Sequence, residues 1–224
     1  MPVSVSVNVN HSIYLKDPLE TDLGRRILSQ AVVLFDEAGL NAFNFKELAA
    51  RISSTEASIY RYFENKHMLL LYLTCWYWEY LFYLLEMNLR NISDPEEKLN
   101  IAVKTVVSGL LDTNENHFLD HEKLQHLMVD LSINAYHSKN IEEENRAGIY
   151  DNYMALSAYL SGIIKEVNPE FKYPRSLATT ILEMATNHLY FAKHFPEMTE
   201  LGHAANKFRQ LEQMIIYFCR KLLK

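Results

Sequence analysis

Between Asn41 and Leu70 the chain reads NAFNFKELAARISSTEASIYRYFENKHMLL, two short apolar repeats of helical spacing separated by three small polar residues. Phe45, Leu48, Ala49 and Ile52 fall on one helical face. Ser53, Ser54 and Thr55 interrupt the pattern, and Ile59 and Phe63, four apart, begin another. Segments this short do not stay helical in water alone, so both must pack on a further helix, and the long periodic segment before them supplies one. Two short helices meeting at so tight a turn have the outline of a helix-turn-helix, whose second helix enters the major groove of DNA.

The remainder of the chain agrees with an all-α fold. Only six Gly and six Pro punctuate 224 residues, the runs between them repeat with helical period, and a hydrophobic content of 49% supplies ample core. The formal charge of −6, from 22 Lys+Arg against 28 Asp+Glu, excludes broad nonspecific coating of nucleic acid, which rests on many phosphate-neutralising cations. It leaves room for specific binding by a small local surface. Cys75 and Cys219 have neither metal-ligand nor redox spacing and are expected to fill apolar space in a reducing compartment. No uninterrupted apolar run reaches the length of a bilayer span, and the first residues lack the basic start and apolar core of a secretory leader. The expected location is cytoplasmic, without a membrane partner.

Residues 1–16 alternate Val with Ser or Asn and are expected to form a mobile tail, because an isolated strand is unstable in water. The first helix is expected from Asp17-Pro18, with Asp17 as cap and Glu20 three positions on, and ends at Gly39. Asn44 is the expected cap of the second helix, where Glu47 can close a capping box, and Thr55 of the third. A fourth helix follows Lys66. Trp76, Trp78, Tyr80, Phe82 and Tyr83 lie on more than one of its faces, so other helices must enclose it. Further helices are expected from Asp94-Pro95 to about Leu111, from His117 to Tyr136, from Ile141 to Val167, from Arg175 to Phe195 and from Glu200 to Leu222, about nine in all. This divides the chain into a tail (1–16), a three-helix domain (17–66) and a larger helical bundle (67–224).

With Ile59 and Phe63 pointing inward, Glu56, Ala57, Ser58, Tyr60 and Arg61 are left facing outward or sideways, available to bases and phosphates. Tyr60 and Tyr62 either pack at the rim of a small core or donate a hydroxyl to phosphate oxygen. Lys66 either sits as a solvated charge or offers a cation beside a helix N-terminus, where amides and dipole already favour an anion. Adding Lys46 and Thr55 completes the expected DNA-contacting set. Asp17 to Lys66 nevertheless holds six basic against eight acidic side chains, so affinity must come from where the cations are placed.

Ile27, Leu28, Ala31, Phe35 and Gly39, then Leu48 and Ala49, then Thr55, Ser58, Ile59, Tyr60, Tyr62, Phe63, Lys66 and Leu69 form a spaced pattern. In it the first third of the chain resembles the DNA-binding domain of the TetR family of transcriptional regulators. The sequence departs from the family at Ser53, where Gly is usual in the turn, and at Ala57, where Gly is common. At Glu56 a basic or polar residue is common; a carboxylate there repels phosphate but can accept from cytosine N4.

The resemblance implies a homodimer formed through the last two long helices, with two recognition helices on a palindromic double-stranded operator. It further implies a cavity in the C-terminal bundle for an apolar or aromatic small-molecule effector, and usually repression relieved by that effector. Trp78, Met128, Tyr136, Tyr150 and Tyr153 are candidates to line the cavity, as are Met154, Tyr159, Met184, His188 and Tyr190; simple core packing is the alternative for each. His117 and His121 are four apart, and His126 follows, yet zinc needs further converging ligands. No metal and no cofactor is expected. No nucleophile elbow, phosphate loop, His-Glu-x-x-His segment or dinucleotide fingerprint occurs, so no catalytic residue is assigned and an enzyme is not expected. The alternatives are a helical dimer that binds a ligand or protein with little DNA affinity, and, further off, a helical enzyme.

Overall fold

The structure, a computed structural model, describes residues 9–111, 118–136 and 138–224, with side chains excluded at 132–136. Among the described residues there is no strand. Ten helices follow in order: α1 (Asp22–Ala42), α2 (Phe45–Arg51), α3 (Glu56–Tyr60), α4 (Lys66–Leu89), α5 (Pro95–Ser108), α6 (His121–Tyr136), α7 (Ile141–Arg146), α8 (Asp151–Val167), α9 (Pro174–His194) and α10 (Lys207–Leu222). They belong to two compact units, one comprising described residues 9–80 and 118–152, the other 81–111 and 153–224.

In the first unit α1 buries Ile27, Leu28, Ala31, Val32, Leu34 and Phe35. Leu48 and Ala49 of α2, Ile59 of α3 and then Phe63 complete that core. Phe35 and Phe43 stack with ring centroids 3.8 Å apart, which seats the α1–α2 connection. The first helix starts later than its sequence suggests. Asp17 accepts from the Leu19 amide at 2.8 Å and closes only a 3₁₀ turn over Pro18–Glu20, while Thr21, in an extended conformation, caps α1 by accepting from the Gly24 amide at 3.0 Å. The Thr21 hydroxyl also shares a 2.8 Å hydrogen bond with that of Tyr62, a tertiary anchor that local spacing does not reveal. Gly39, at φ 69° and ψ 172°, ends the regular part of α1 in a conformation open essentially to glycine.

Residues 9–16 are not a mobile tail. Val9 and Ile13 are buried, Asn10 donates to the Ala147 carbonyl at 2.9 Å, and the Leu15 amide donates to the Tyr62 carbonyl at 2.8 Å. Residues 1–8 lie outside the described residues. α1 packs against α6. The expected helix from Ile141 to Val167 is two helices: Gly148, at φ 73°, separates α7 from α8.

In the second unit α5, α9 and α10 pack on one another through Leu99, Val103 and Val106, Leu177 and Ile181, and Leu211, Ile215 and Cys219. The last helix is shorter than expected. Asn206 caps it by accepting from the Arg209 amide at 3.0 Å, and residues 200–203 form turns. Burial pushes the Cys219 thiol up to about 11, as suits a residue filling apolar space.

α4 contributes to both units. Its 24 residues are enough, by length and composition only, to cross a bilayer, although Glu79 interrupts the apolar run. Yet 72% of its most apolar window is buried inside the protein, the signature of a helix enclosed by others.

Candidate nucleic-acid interface

The candidate interface is a short helix, α3, packed on α2 and anchored by a buried side chain. α3 has only five residues, and its order comes from its ends and its single inward side chain, Ile59, which is fully buried. Thr55 caps it, accepting from the Ser58 amide at 3.2 Å and sharing a 2.9 Å hydrogen bond with the Ser58 hydroxyl. Asn44 caps α2 in the same way through the Glu47 amide at 2.9 Å. The Glu47 carboxylate turns instead to Arg51, 3.2 Å away, and Arg51 also pairs with Glu37 of α1 at 2.6 Å. That hydrogen bond from Arg51 holds the Glu37 carboxyl below its ordinary range.

Between α2 and α3, Ser53 sits at φ 50°, alone among the described non-glycine residues at positive φ. This is the conformation that the missing glycine would adopt more readily. The turn is tied to α1 by Arg26, which donates to the Ile52 carbonyl at 3.2 Å. Arg26 was not singled out from sequence, since nothing in local spacing connects positions 26 residues apart.

The nine sequence candidates separate into two groups. Lys46, Thr55, Glu56, Ala57, Tyr60 and Arg61 are exposed, with half-buried Ser58 beside them. Tyr60 retains 49% exposure while its ring meets Phe45 edge-on at 5.0 Å, so its hydroxyl is carried outward on a packed ring. Tyr62 and Lys66 turn to the framework. Tyr62 is 3% exposed and bonded to Thr21, and Lys66 donates to the carbonyls of Leu40 at 2.9 Å and Phe43 at 3.4 Å. The inward position of Tyr62 was legible in sequence: Ile59, Tyr62 and Phe63 are an i, i+3, i+4 set. Lys66 satisfies carbonyls left by the break at Gly39, which only the folded chain brings to it.

Residues 27–73 match the profile of the bacterial regulatory proteins of the tetR family. Over that segment the chain is similar to the tetR family. No curated protein matches the chain in sequence. Among solved structures, a tetR-family regulatory protein from Rhodococcus RHA1 is similar at TM-score 0.66 and 15% identity, covering 90% of this chain and 97% of that one. AibR, solved with isovaleryl coenzyme A and operator DNA, is similar at TM-score 0.57 and 19% identity over 87% of this chain and 97% of its own. The superantigen PfiT is similar at 0.61 and 15% over 93% and 99%. At these identities the likeness is one of fold.

The candidate effector residues fall in both units. In the first, Trp78 and Met128 are buried, and Tyr150 donates to the buried Glu144 at 2.5 Å. In the second, Tyr153 donates to Glu183 at 2.9 Å, and His188 lies 3.1 Å from the Thr199 hydroxyl. Burial pushes His188 below the ordinary histidine range, against a smaller opposing pull from Glu200. There too Met184, Tyr159 and Tyr190 are half-buried and Met154 is exposed. The Tyr136 side chain and His117 lie outside the described residues. The second unit holds open clefts of about 640 Å³, beside Lys104, Leu111, Phe208 and Arg209, and about 350 Å³, beside Gln210, Met214 and Phe218. None of the candidate effector residues lines either one. Among the described residues no group of three His, Cys, Asp or Glu side chains converges as a metal site; His121 packs against Trp76 and Tyr80, and His126 is 3.7 Å from Asp36.

Proposed function

We propose that the protein is a ligand-responsive, sequence-specific DNA-binding transcriptional regulator, a repressor released from a palindromic operator by a small molecule. The observation that carries this reading is the tetR-family match at residues 27–73, with α3 capped, anchored through Ile59 and left with its polar face open. α3 enters the major groove, Lys46 and Arg61 contact phosphate, and Tyr60 adds a hydroxyl from its fixed ring. As a homodimer in the cytoplasm, the protein sets two such helices about 34–36 Å apart. α9 and α10 form the dimer contact, where Tyr217 and Leu222 stand exposed at 58% and 54%.

An effector that binds better to a dimer of different spacing shifts the population away from the DNA-bound form. Residues 17–66 act as the reader and 67–224 as the effector and dimer part, with the effector among apolar and aromatic side chains such as Trp78, Met128 and Tyr150. No step of this function is catalytic.

The test is retention of fragments from the protein's own genomic neighbourhood across a salt series, with Arg61→Ala alongside. Specific retention is expected, and Arg61→Ala weakens it on every sequence and lowers the salt slope by about 1. If no fragment or random duplex is retained at low salt without ligand, the reading fails. The second reading, a helical dimer with little DNA affinity, then stands; the acidic balance of residues 17–66 and the fold likeness to PfiT favour it over an enzyme.

A further inference from the structure

We infer that Glu56 is the base-selecting residue of α3 and that the base it selects is cytosine; this rests on the DNA-reading function proposed above. The open face of α3 carries few groups free to read a base. Thr55 and Ser58 are occupied with each other. Ala57 offers only a methyl group. The Tyr60 ring is fixed against Phe45. Arg61 is the residue that closes the helix, at the end away from Glu56. Glu56, in the first turn, is exposed and makes no hydrogen bond or ion pair recorded among the described residues.

An ionised carboxylate accepts hydrogen bonds and donates none. Against the sugar–phosphate backbone it meets acceptors and like charge. In the major groove the available base donors are the amino groups at cytosine N4 and adenine N6. Adenine sets the acceptor N7 beside its amino group, and N7 opposes the second carboxylate oxygen. Cytosine has a carbon-bound hydrogen there instead. A carboxylate held at the groove floor therefore favours cytosine, whereas the amide of glutamine, donor and acceptor together, matches adenine N6 and N7. Glu56 thus lowers affinity for DNA in general and raises discrimination at one position of each half-site.

The experiment is selection from a randomised duplex pool by the full chain, as wild type, Glu56→Gln and Glu56→Ala. The wild type is expected to enrich a palindrome with one cytosine per half-site that Glu56→Gln changes to adenine and Glu56→Ala leaves unspecified, the other positions holding. Replacing that cytosine by thymine, which presents an acceptor, lowers wild-type affinity about tenfold and leaves Glu56→Ala unaffected. Low-salt retention of random duplex at or above wild-type strength shows that both variants fold. A consensus identical in all three proteins overturns the inference and leaves the DNA-reading function standing. A wild-type pool with no consensus removes that function, and the inference with it.

Discussion

The α2–α3 turn and the α7–α8 turn lie in the same compact unit, each joins two short-range helical segments, and each holds a residue at positive φ, Ser53 at 50° and Gly148 at 73°. They are secured in opposite ways. The α2–α3 turn is closed mainly by its neighbours: Asn44 and Thr55 cap the helices on either side, while from α1 Arg26 bonds the Ile52 carbonyl and Glu37 pairs with Arg51. It leaves the polar face of α3 in solvent.

The α7–α8 turn is held by residues from across the unit. Glu144, 4% exposed, accepts from Tyr150 at 2.5 Å, Ser138 at 2.9 Å and His67 at 2.9 Å. Asn10 bonds the Ala147 carbonyl, and the Cys75 thiol donates to the Ile149 carbonyl at 3.3 Å. Burial pushes Cys75 up to about 12, so it is a packed thiol and not a nucleophile. A turn closed by local caps can present a helix outward, whereas one closed by a buried carboxylate fixes the elements that meet there.

The largest expected effect follows from removing that carboxylate. Glu144→Ala leaves Tyr150, Ser138 and His67 facing a void without their acceptor, at a cost of about 3 kcal/mol in denaturant unfolding. A loss below about 1 kcal/mol would make the two turns alike. Acid unfolding sharpens the same contrast. Burial alone would raise the Glu144 carboxyl, but the hydrogen bonds from Tyr150, His67 and Ser138 together outweigh it and hold the group below its ordinary 4.5. Its contribution is therefore complete above the unfolded value and is lost as pH falls through the lower folded value. Unfolding free energy measured from pH 7 downward should fall below about pH 4.5 less steeply in Glu144→Gln than in wild type.

Gly148→Ala comes next, at about 1–2 kcal/mol, because it forces a side chain to positive φ and its Cβ would lie 2.8 Å from the Asp151 carboxylate. The smallest effect has the opposite sign. Ser53→Gly relieves a strained φ at the outward turn and should raise stability by about 0.5–1 kcal/mol in thermal or denaturant melts. If Ser53→Gly destabilises, the serine makes a contact that the glycine comparison overlooks.

The same contrast explains what could be read from the chain. Around α2 and α3 the caps Asn44 and Thr55, the inward Ile59 and Phe63, and the strained Ser53 were all legible, because each acts within a few residues of itself. At the α7–α8 turn the helical period runs on from Ile141 to Val167 without a visible break, and Gly148 by itself is too common a residue to mark one. The retained order of residues 9–16 was equally hidden, since their partners Tyr62, Tyr72 and Ala147 are distant in sequence. At the site, Lys66 read as outward by residue type and the fold turned it inward to the carbonyls after Gly39, whereas Tyr62, left between core rim and phosphate contact by its sequence, is bonded to Thr21.

By itself the sequence determined the all-α class, the pair of short helices and the open residues of α3, because helical period, capping and side-chain direction are local properties of the backbone. Tertiary structure alone decided the break at Gly148, the burial of Glu144, the seating of residues 9–16 and the engagement of Lys66. Each of those depends on polar groups that must find partners once water is excluded, and the partners come from elsewhere in the chain.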